Sequence, residues 1–353
     1  MLKKTPLYSI HETCQAKFTE FHGWLLPLHY GSPIQEHMYV REDAGIFDVS
    51  HMTIIDIIGT GSRQFLRHIM TRDIDEIKYL GGACYSCMCN EHGGIIDDVL
   101  IYYRQPDNYR LVFNAATKER VLNWLDLQAQ NFNIGIQIRH ELCMLAIQGP
   151  NAISKTLPLL SPYQMDKLST LRRFESFEEQ AIFFSRTGYT GEDGLECIMP
   201  KDSALVFFKK LIQAGIKPCG LAARDSLRLE AGYLLNGQDM DERTNPLTAG
   251  LNWTISTKDT TRIFIGKNTI HTNNHKLVGL ILSEPAIMRH GQKVFHDDQL
   301  IGTITSGAYS PCLKKSIALA RVIDSPFIDN LAVEIRGKKY LAALSTTRFY
   351  SKK

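Results

Sequence analysis

The chain has 353 residues, 44% of them hydrophobic and 22% charged, with a formal net charge of +3. That is the composition of a globular protein long enough for two or three domains; it is too mildly basic for nucleic-acid binding, and no block of like charges forms a basic arm. No segment approaches the ~20 apolar residues of a membrane span, and the opening Met-Leu-Lys-Lys-Thr-Pro-Leu-Tyr lacks the apolar stretch of a secretory signal, so the expectation is a cytoplasmic protein.

In chain order, Pro33 to Ala44 has helical spacing, with Ser32 and Pro33 as cap and first-turn residue and Gly45 as the stop. Met52 to Ile58 is strand-like, and Ser62 opens a helix carrying Phe65, Leu66 and Ile69. Three β segments follow near 83–89, 95–103 and 109–114, then an amphipathic helix from Lys118 to Gln130, then strands at Ile134 to Arg139 and Cys143 to Gln148. Lys217 to Asn236 reads as a further helix. From about Lys276 onward short β-rich pieces (277–282, 291–295, 299–305, 317–322, 331–335, 339–345) alternate with Gly, Pro, Asp or Asn, which predicts a small barrel or sandwich. Mixed strands and helices with short connections predict α+β rather than a doubly wound parallel sheet. The boundary is set near 275, giving regions 1–275 and 276–353; no linker rich in Pro, Gly or Ser divides the first.

The eight cysteines read as free thiols, since no export signal precedes them. Cys84, Cys87, Cys89 and His92 superficially offer four metal ligands. Ala-Cys-Tyr-Ser-Cys-Met-Cys reads as a strand, however, in which residues 84 and 87 point to opposite faces, so one tetrahedron is hard to close and no metal is expected.

The stretch Asn-Glu-His-Gly-Gly-Ile-Ile-Asp-Asp-Val-Leu-Ile-Tyr-Tyr, 90–103, places two adjacent carboxylates at the mouth of an apolar run. Neighbouring side chains of a strand face opposite ways. One aspartate is therefore expected to face water, and Asp98, on the side of Leu100 and Tyr102, to be carried toward an interior or a cleft. Ser185 to Cys197 has glycines at 188, 191 and 194 but is no phosphate loop: Glu192 and Asp193 would repel the anion, and a strand follows where a helix start is needed. It reads as a glycine-rich turn between strands. Glu196, inside the second of these, needs donors if buried; either a structural salt bridge or the two parallel N–H groups of an amidine-like heterocycle edge would supply them. Arg224 and Arg228 lie on one helix face, either ion-paired with Asp225 and Glu230 or forming an anion clamp.

Taken together, Phe-His-Gly-Trp (21–24), Gly-Ile-Phe-Asp-Val-Ser-His-Met (45–52), Gly-Gly-Ile-Ile-Asp-Asp (93–98), Ile-Gln-Gly-Pro (147–150), Arg-Thr-Gly-Tyr-Thr-Gly-Glu-Asp-Gly-Leu-Glu (186–196), Ala-Arg-Asp-Ser-Leu-Arg-Leu-Glu-Ala-Gly (223–232), Gly-Gln-Asp-Met-Asp-Glu (237–242) and Ile-Thr-Ser-Gly-Ala-Tyr-Ser-Pro (304–311) follow the order and spacing of one family. From about Thr5 to Tyr350 the chain resembles the aminomethyltransferases, the T-proteins of the glycine cleavage system. The resemblance implies a three-domain cloverleaf, in which two interleaved α+β domains form a folate cleft and a small β-barrel ends the chain. It also implies a reaction: an aminomethyl group on the lipoyl thiol of H-protein gives up ammonia, and its carbon passes to tetrahydrofolate, a co-substrate, as the 5,10-methylene form. Lipoylated H-protein would be the partner; nucleic acid and membrane would not.

Carried over by motif, Asp98 matches the acid beside the folate nitrogens, where a carboxylate can accept a proton, steer the nucleophile or stabilise cationic character. Steering and electrostatics rank above strict general base, because an ordinary Asp pKa near 4 is low for that task unless burial raises it. Asp97 is assigned to structure. Glu196 matches the residue that holds the pterin amino and N3 edge, and Arg224 an arginine near the glutamate end of folate. Tyr85, Asn114, Tyr189 and Tyr233 match pocket positions, the tyrosines being equally readable as core residues. Met52 is expected to line the same pocket and His51 to order its loop. Departures from the family pattern are His22, His29, Ala222 in place of a frequent glycine, and Arg348 in place of a common proline; they bear on the entrance. Two rival readings remain. One is another folate-dependent one-carbon transferase, of the kind fused to dimethylglycine- or sarcosine-oxidising flavoproteins, whose flavin domain is not expected here. The other is a non-catalytic folate-binding protein of the iron–sulfur assembly type, whose Lys-Gly-Cys-Tyr-x-Gly-Gln type motif the sequence lacks.

Overall fold

Strand Gly45–Asp48 and strand Leu142–Gln148 are hydrogen-bonded neighbours, yet an entire second unit is inserted between them in sequence. A computed structural model describes residues 2–271, 274–324 and 330–351; residues 1, 272–273, 325–329 and 352–353, including those parts of the expected regions 1–275 and 276–353, lie outside the described residues. The first unit is a six-stranded sheet in the order Ser176–Glu179, Ile182–Ser185, Gly194–Pro200, Leu142–Gln148, Gly45–Asp48, Lys217–Pro218. Its central strands are apolar on both faces because both are covered. Ile147, Leu195 and Cys197 pack on one side with Phe208 and Leu211 of helix Lys201–Gln213.

The inserted unit is a five-stranded sheet in the order Ala83–Cys89, Ile95–Gln105, Asn108–Phe113, Thr53–Ile58, Gly135–Ile138. Helices Ser62–Ile69 and Lys118–Ala129 cover one face through Phe65, Leu66, Val121 and Leu125. The two sheets meet in a shared apolar cluster in which Phe47, Met144 and Phe183 of the first pack with Ile54, Tyr102 and Val112 of the second. The sheets are thus one packed body with interleaved chain, which explains why no linker is visible.

The six C-terminal strands, His275–Leu282 through Lys338–Ser345, close into an antiparallel barrel around Leu280, Val294, Ala318, Ala320 and Val333. Of the two alternatives read from the sequence, closure selects the barrel, which leaves no free sheet edge.

Helix Pro33–Glu42 starts as expected: Ser32 Oγ accepts the Gln35 N–H at 3.3 Å and Pro33 occupies the first turn. The helix read over 217–236 is shorter, running only from Leu221 to Ala231. Its stop is Gly232 at φ +77°, where the backbone turns left-handed and a Cβ would come within 2.5 Å of Thr347 O. Lys217–Pro218 pairs instead as the edge strand of the first sheet, and Tyr233 to Asn236 follow the left-handed stop. Ion pairing along the helix also differs from expectation. Asp225 does pair with Arg228, but Glu230 turns away from both arginines.

That turn builds the seam between barrel and sheets. Glu230, fully buried, accepts from Arg41 Nε (3.0 Å) and Nη2 (2.9 Å), His37 Nε2 (3.0 Å), Ser310 Oγ (2.5 Å) and the Cys312 N–H (3.2 Å). Burial alone would raise its pKa, but the His37 and Ser310 bonds and the Arg41 charge hold it at about 2. Arg228, one turn before the helix end, donates to Asp239 and to Ser306 of the barrel, each at 2.9 Å. His37, Glu230 and Cys312 could geometrically surround an ion, but both Glu230 oxygens are already occupied.

Candidate active site

A cavity of about 810 Å³ lies where the two sheets, helix Leu221–Ala231 and the barrel meet. All eight side chains singled out from the sequence line it. The inserted sheet contributes Tyr85, Asp98 and Asn114, with Met52 from the residue before its first strand. Tyr189 and Glu196 come from the 186–196 segment of the first sheet, and Arg224 and Tyr233 from the helix and its exit. About half of that set belongs to each unit, so neither builds the cavity alone.

Asp98 sits on strand Ile95–Gln105 with Oδ2 accepting from Tyr85 OH at 3.0 Å and Oδ1 from Asn114 Nδ2 at 2.9 Å. Asp97 does not face water as its strand position suggested. It is fully buried and accepts from Asn114 Nδ2 (2.7 Å), the Asn114 N–H (3.2 Å) and Thr117 Oγ1 (2.5 Å). The period of two is obeyed, but helix Lys118–Ala129 and its entry loop cover the second face. One Asn114 amide therefore bridges two adjacent carboxylates, Asp97 fully buried and Asp98 partly open to the cavity. Burial raises the pKa of both, and for Asp97 the Asp98 charge raises it further. Such a pair titrates as a unit, with its upper step above the usual carboxylate range.

Glu196 is buried, and the Thr187 hydroxyl, at 2.5 Å from Oε2, is the single donor to its carboxylate among the described residues. Burial raises its pKa against the pull of Thr187 and the Arg224 charge. Behind Thr187, the Ser185 hydroxyl lies at 2.9 Å and Tyr102 OH at 3.2 Å, a hydroxyl chain that fixes the donor's direction. Arg224 has no ion pair among the described residues. Its guanidinium stacks on Tyr189 at 4.7 Å, and Nη1 is buried without a hydrogen-bond partner. Tyr189 OH donates to Leu234 O, and its ring lies parallel to that of Tyr233 at 5.8 Å. The cavity thus presents an under-satisfied anion, an under-satisfied cation and a proton-retaining acid pair. Together these are receptors for an N–H edge, a carboxylate or carbonyl, and a site of proton traffic.

Two contributors, Trp253 and Thr187, were not assigned to the site from the sequence, and a third, His51, was assigned only to its loop. Trp253, 53% exposed, stacks on Tyr85 at 5.3 Å and walls the cavity; its rarity, with three tryptophans in the chain, was the available signal. Thr187 could have been found from the turn itself, since the hairpin pairs Ser185 with Glu196 and sets residue 187 beside the acid. His51, beyond its loop, lines the cavity with a buried, unbonded Nδ1, and burial followed by the Arg224 charge pushes its pKa well below the usual range. Of the departures, Ala222 and Arg348 line the cavity. The cysteines do not converge: Cys84 packs in the core of the inserted unit, whereas Cys87 and Cys89 face the cluster beneath the barrel.

Comparison with known proteins agrees with this architecture. Residues 7–259 match the family model described as GCVT N-terminal domain, and residues 275–351 match that of the glycine cleavage T-protein C-terminal barrel domain. Curated aminomethyltransferases of Legionella pneumophila strains Lens and Philadelphia 1 are each 53% identical, covering 99% of this chain and 98% of theirs. The crystal structure of the glycine cleavage system aminomethyltransferase T from Bartonella henselae superposes with a TM-score of 0.92 at 31% identity, over 99% of this chain and 98% of that one. With a cavity jointly walled by interleaved sheets and a barrel, and likeness running from end to end, the chain belongs to the aminomethyltransferase family, the T-proteins of the glycine cleavage system.

Proposed function

We propose that the cavity takes tetrahydrofolate as co-substrate and that the carbon arrives as the aminomethyl adduct of a lipoyl arm carried by H-protein, in the cytoplasm. In the balanced reaction the carbon's bonds to sulfur and to the amino nitrogen break, and two bonds to folate nitrogens form. The two folate N–H protons leave, accounting for a thiol and ammonia. No electrons are exchanged. The observation that carries the reading is the incomplete bonding of Glu196: a buried carboxylate with one donor among the described residues accepts the parallel N–H groups of the pterin amino and N3 edge.

Asp98 is the proposed catalytic group. Its oxygens are aimed by Tyr85 and Asn114, and its raised pKa suits proton uptake near neutrality better than an ordinary aspartate would. Asp97 holds Asn114 and shares its proton balance. Arg224, stacked on Tyr189, offers its unbonded Nη1 to the carboxylate or carbonyl of the glutamate end. Tyr85, Trp253, Tyr189 and Tyr233 supply aromatic faces, and Met52 an adaptable apolar wall. The test is incubation with tetrahydrofolate and aminomethyl-lipoylated H-protein. Release of ammonia together with 5,10-methylenetetrahydrofolate supports the reading, and absence of both removes it.

A further inference from the structure

At the cavity edge Arg348, standing where the family pattern carries proline, is an exposed cation on a fixed backbone. The N–H groups of the next two residues, Phe349 and Tyr350, both donate to Glu230 O at 2.9 Å. Gly232 packs so closely against Thr347 O and Arg348 N that no side chain fits at 232. Among the described residues Arg348 has no ion pair. The acids on the adjoining loop and helix are already matched, Glu192 by Arg41 at 2.9 Å and Asp225 by Arg228 at 2.8 Å. Gly232 lies eight residues beyond Arg224, about 12 Å along the helix direction. A second guanidinium without an ion pair among the described residues therefore borders the same cavity, its backbone held against the exit of the helix that carries Arg224. A ligand that ends in one carboxylate has no use for it; one that carries further carboxylates at intervals does.

We propose that Arg348 is a specificity residue for the γ-linked oligoglutamate tail of the folate, pairing with a carboxylate beyond the first glutamate. This rests on the folate reading of the cavity. Each γ-glutamyl unit spans more than the ~3.5 Å of an extended α-peptide residue, so a tail of two or three further units covers the distance. The pair would be solvated and salt-sensitive.

The test is titration calorimetry of the intact protein with tetrahydrofolate bearing one glutamate and with its γ-linked triglutamate, for wild type, Arg348→Gln and Arg173→Gln. Arg173 is a second exposed cavity-edge cation and serves as the positional control. Expected is a wild-type preference for the triglutamate of about threefold to tenfold, the size of a solvated charge pair. Arg348→Gln should lose most of that preference with monoglutamate affinity unchanged, Arg173→Gln should keep it, and raised salt should erase it. The proposal is overturned if wild type shows no preference, if Arg348→Gln weakens both ligands alike, or if the preference is lost in Arg173→Gln instead. If neither ligand binds wild type, the folate reading itself fails; if only the tail effect is missing, that reading stands without this one.

Discussion

Glu230 and Glu196 are both buried glutamates, one at the barrel seam and one in the cavity wall, and they differ in who completes their bonding. Five donors of the chain converge on Glu230, and its pKa sits at about 2; one hydroxyl serves Glu196, and burial drives its pKa up. The same contrast separates Arg228, bonded to Asp225, Asp239 and Ser306, from Arg224 four residues earlier, which has an orphaned nitrogen. A charge whose partners are complete within the fold holds the fold. One left incomplete is what the proposed folate reading needs at a binding wall.

Substitution should break this comparison along predictable lines. The largest effect is expected at the seam: Glu230→Ala strands Arg41 and His37 in the interior and should lower unfolding free energy by about 3–5 kcal/mol in denaturant titration. A change below about 1 kcal/mol would mean the network is ornamental. Next, Asp98→Asn should cut the transfer rate by about a hundredfold or more, about 2.7 kcal/mol of transition-state stabilisation, with tetrahydrofolate binding roughly intact; a wild-type rate removes Asp98 from the chemistry. Glu196→Ala should weaken tetrahydrofolate by about 2 kcal/mol in calorimetry, because the pterin edge loses its charged acceptor; unchanged affinity returns Glu196 to a structural role.

The smallest effect, in stability against pH, sharpens the contrast because the signs oppose. The folded pKa of Glu230 is depressed, so its contribution is complete above the ordinary glutamate value near 4.3 and is lost as pH falls through about 2. The Asp97–Asp98 pair has a raised folded pKa, so the native state binds more protons than the unfolded one between the ordinary aspartate value and the raised one, and stability declines as pH rises through that window. Asp98→Asn should flatten that decline in melts across pH 2 to 8, leaving the acid limb in place. If the decline persists unchanged, its source lies elsewhere.

Much of the architecture was legible because it is local. The cap at Ser32, the β pieces after 276 and the strands around 83–113 follow from turn chemistry and period. What was not legible depends on what covers a face. Asp97 obeys strand alternation yet is buried, since helix Lys118–Ala129 closes over it, and alternation alone carries no information about the second layer. Glu230 looked like an intrahelical partner for arginine but is claimed by His37 and Arg41, residues nearly two hundred positions away. The motifs indicated which residues share a site. The indole of Trp253 against Tyr85 joins residues 168 positions apart, and no local pattern announces it.

The insertion of residues 53–138 between two paired strands imposes an order on synthesis. As the ribosome extrudes the chain, Gly45–Asp48 has no antiparallel neighbour until Leu142–Gln148 emerges, and its parallel neighbour Lys217–Pro218 follows later still. The inserted sheet, whose own strands pair among themselves, is free to form first. A chain that ends before Leu221–Ala231 lacks the helix that carries Arg224, so one wall of the cavity is missing however well the inserted sheet has paired.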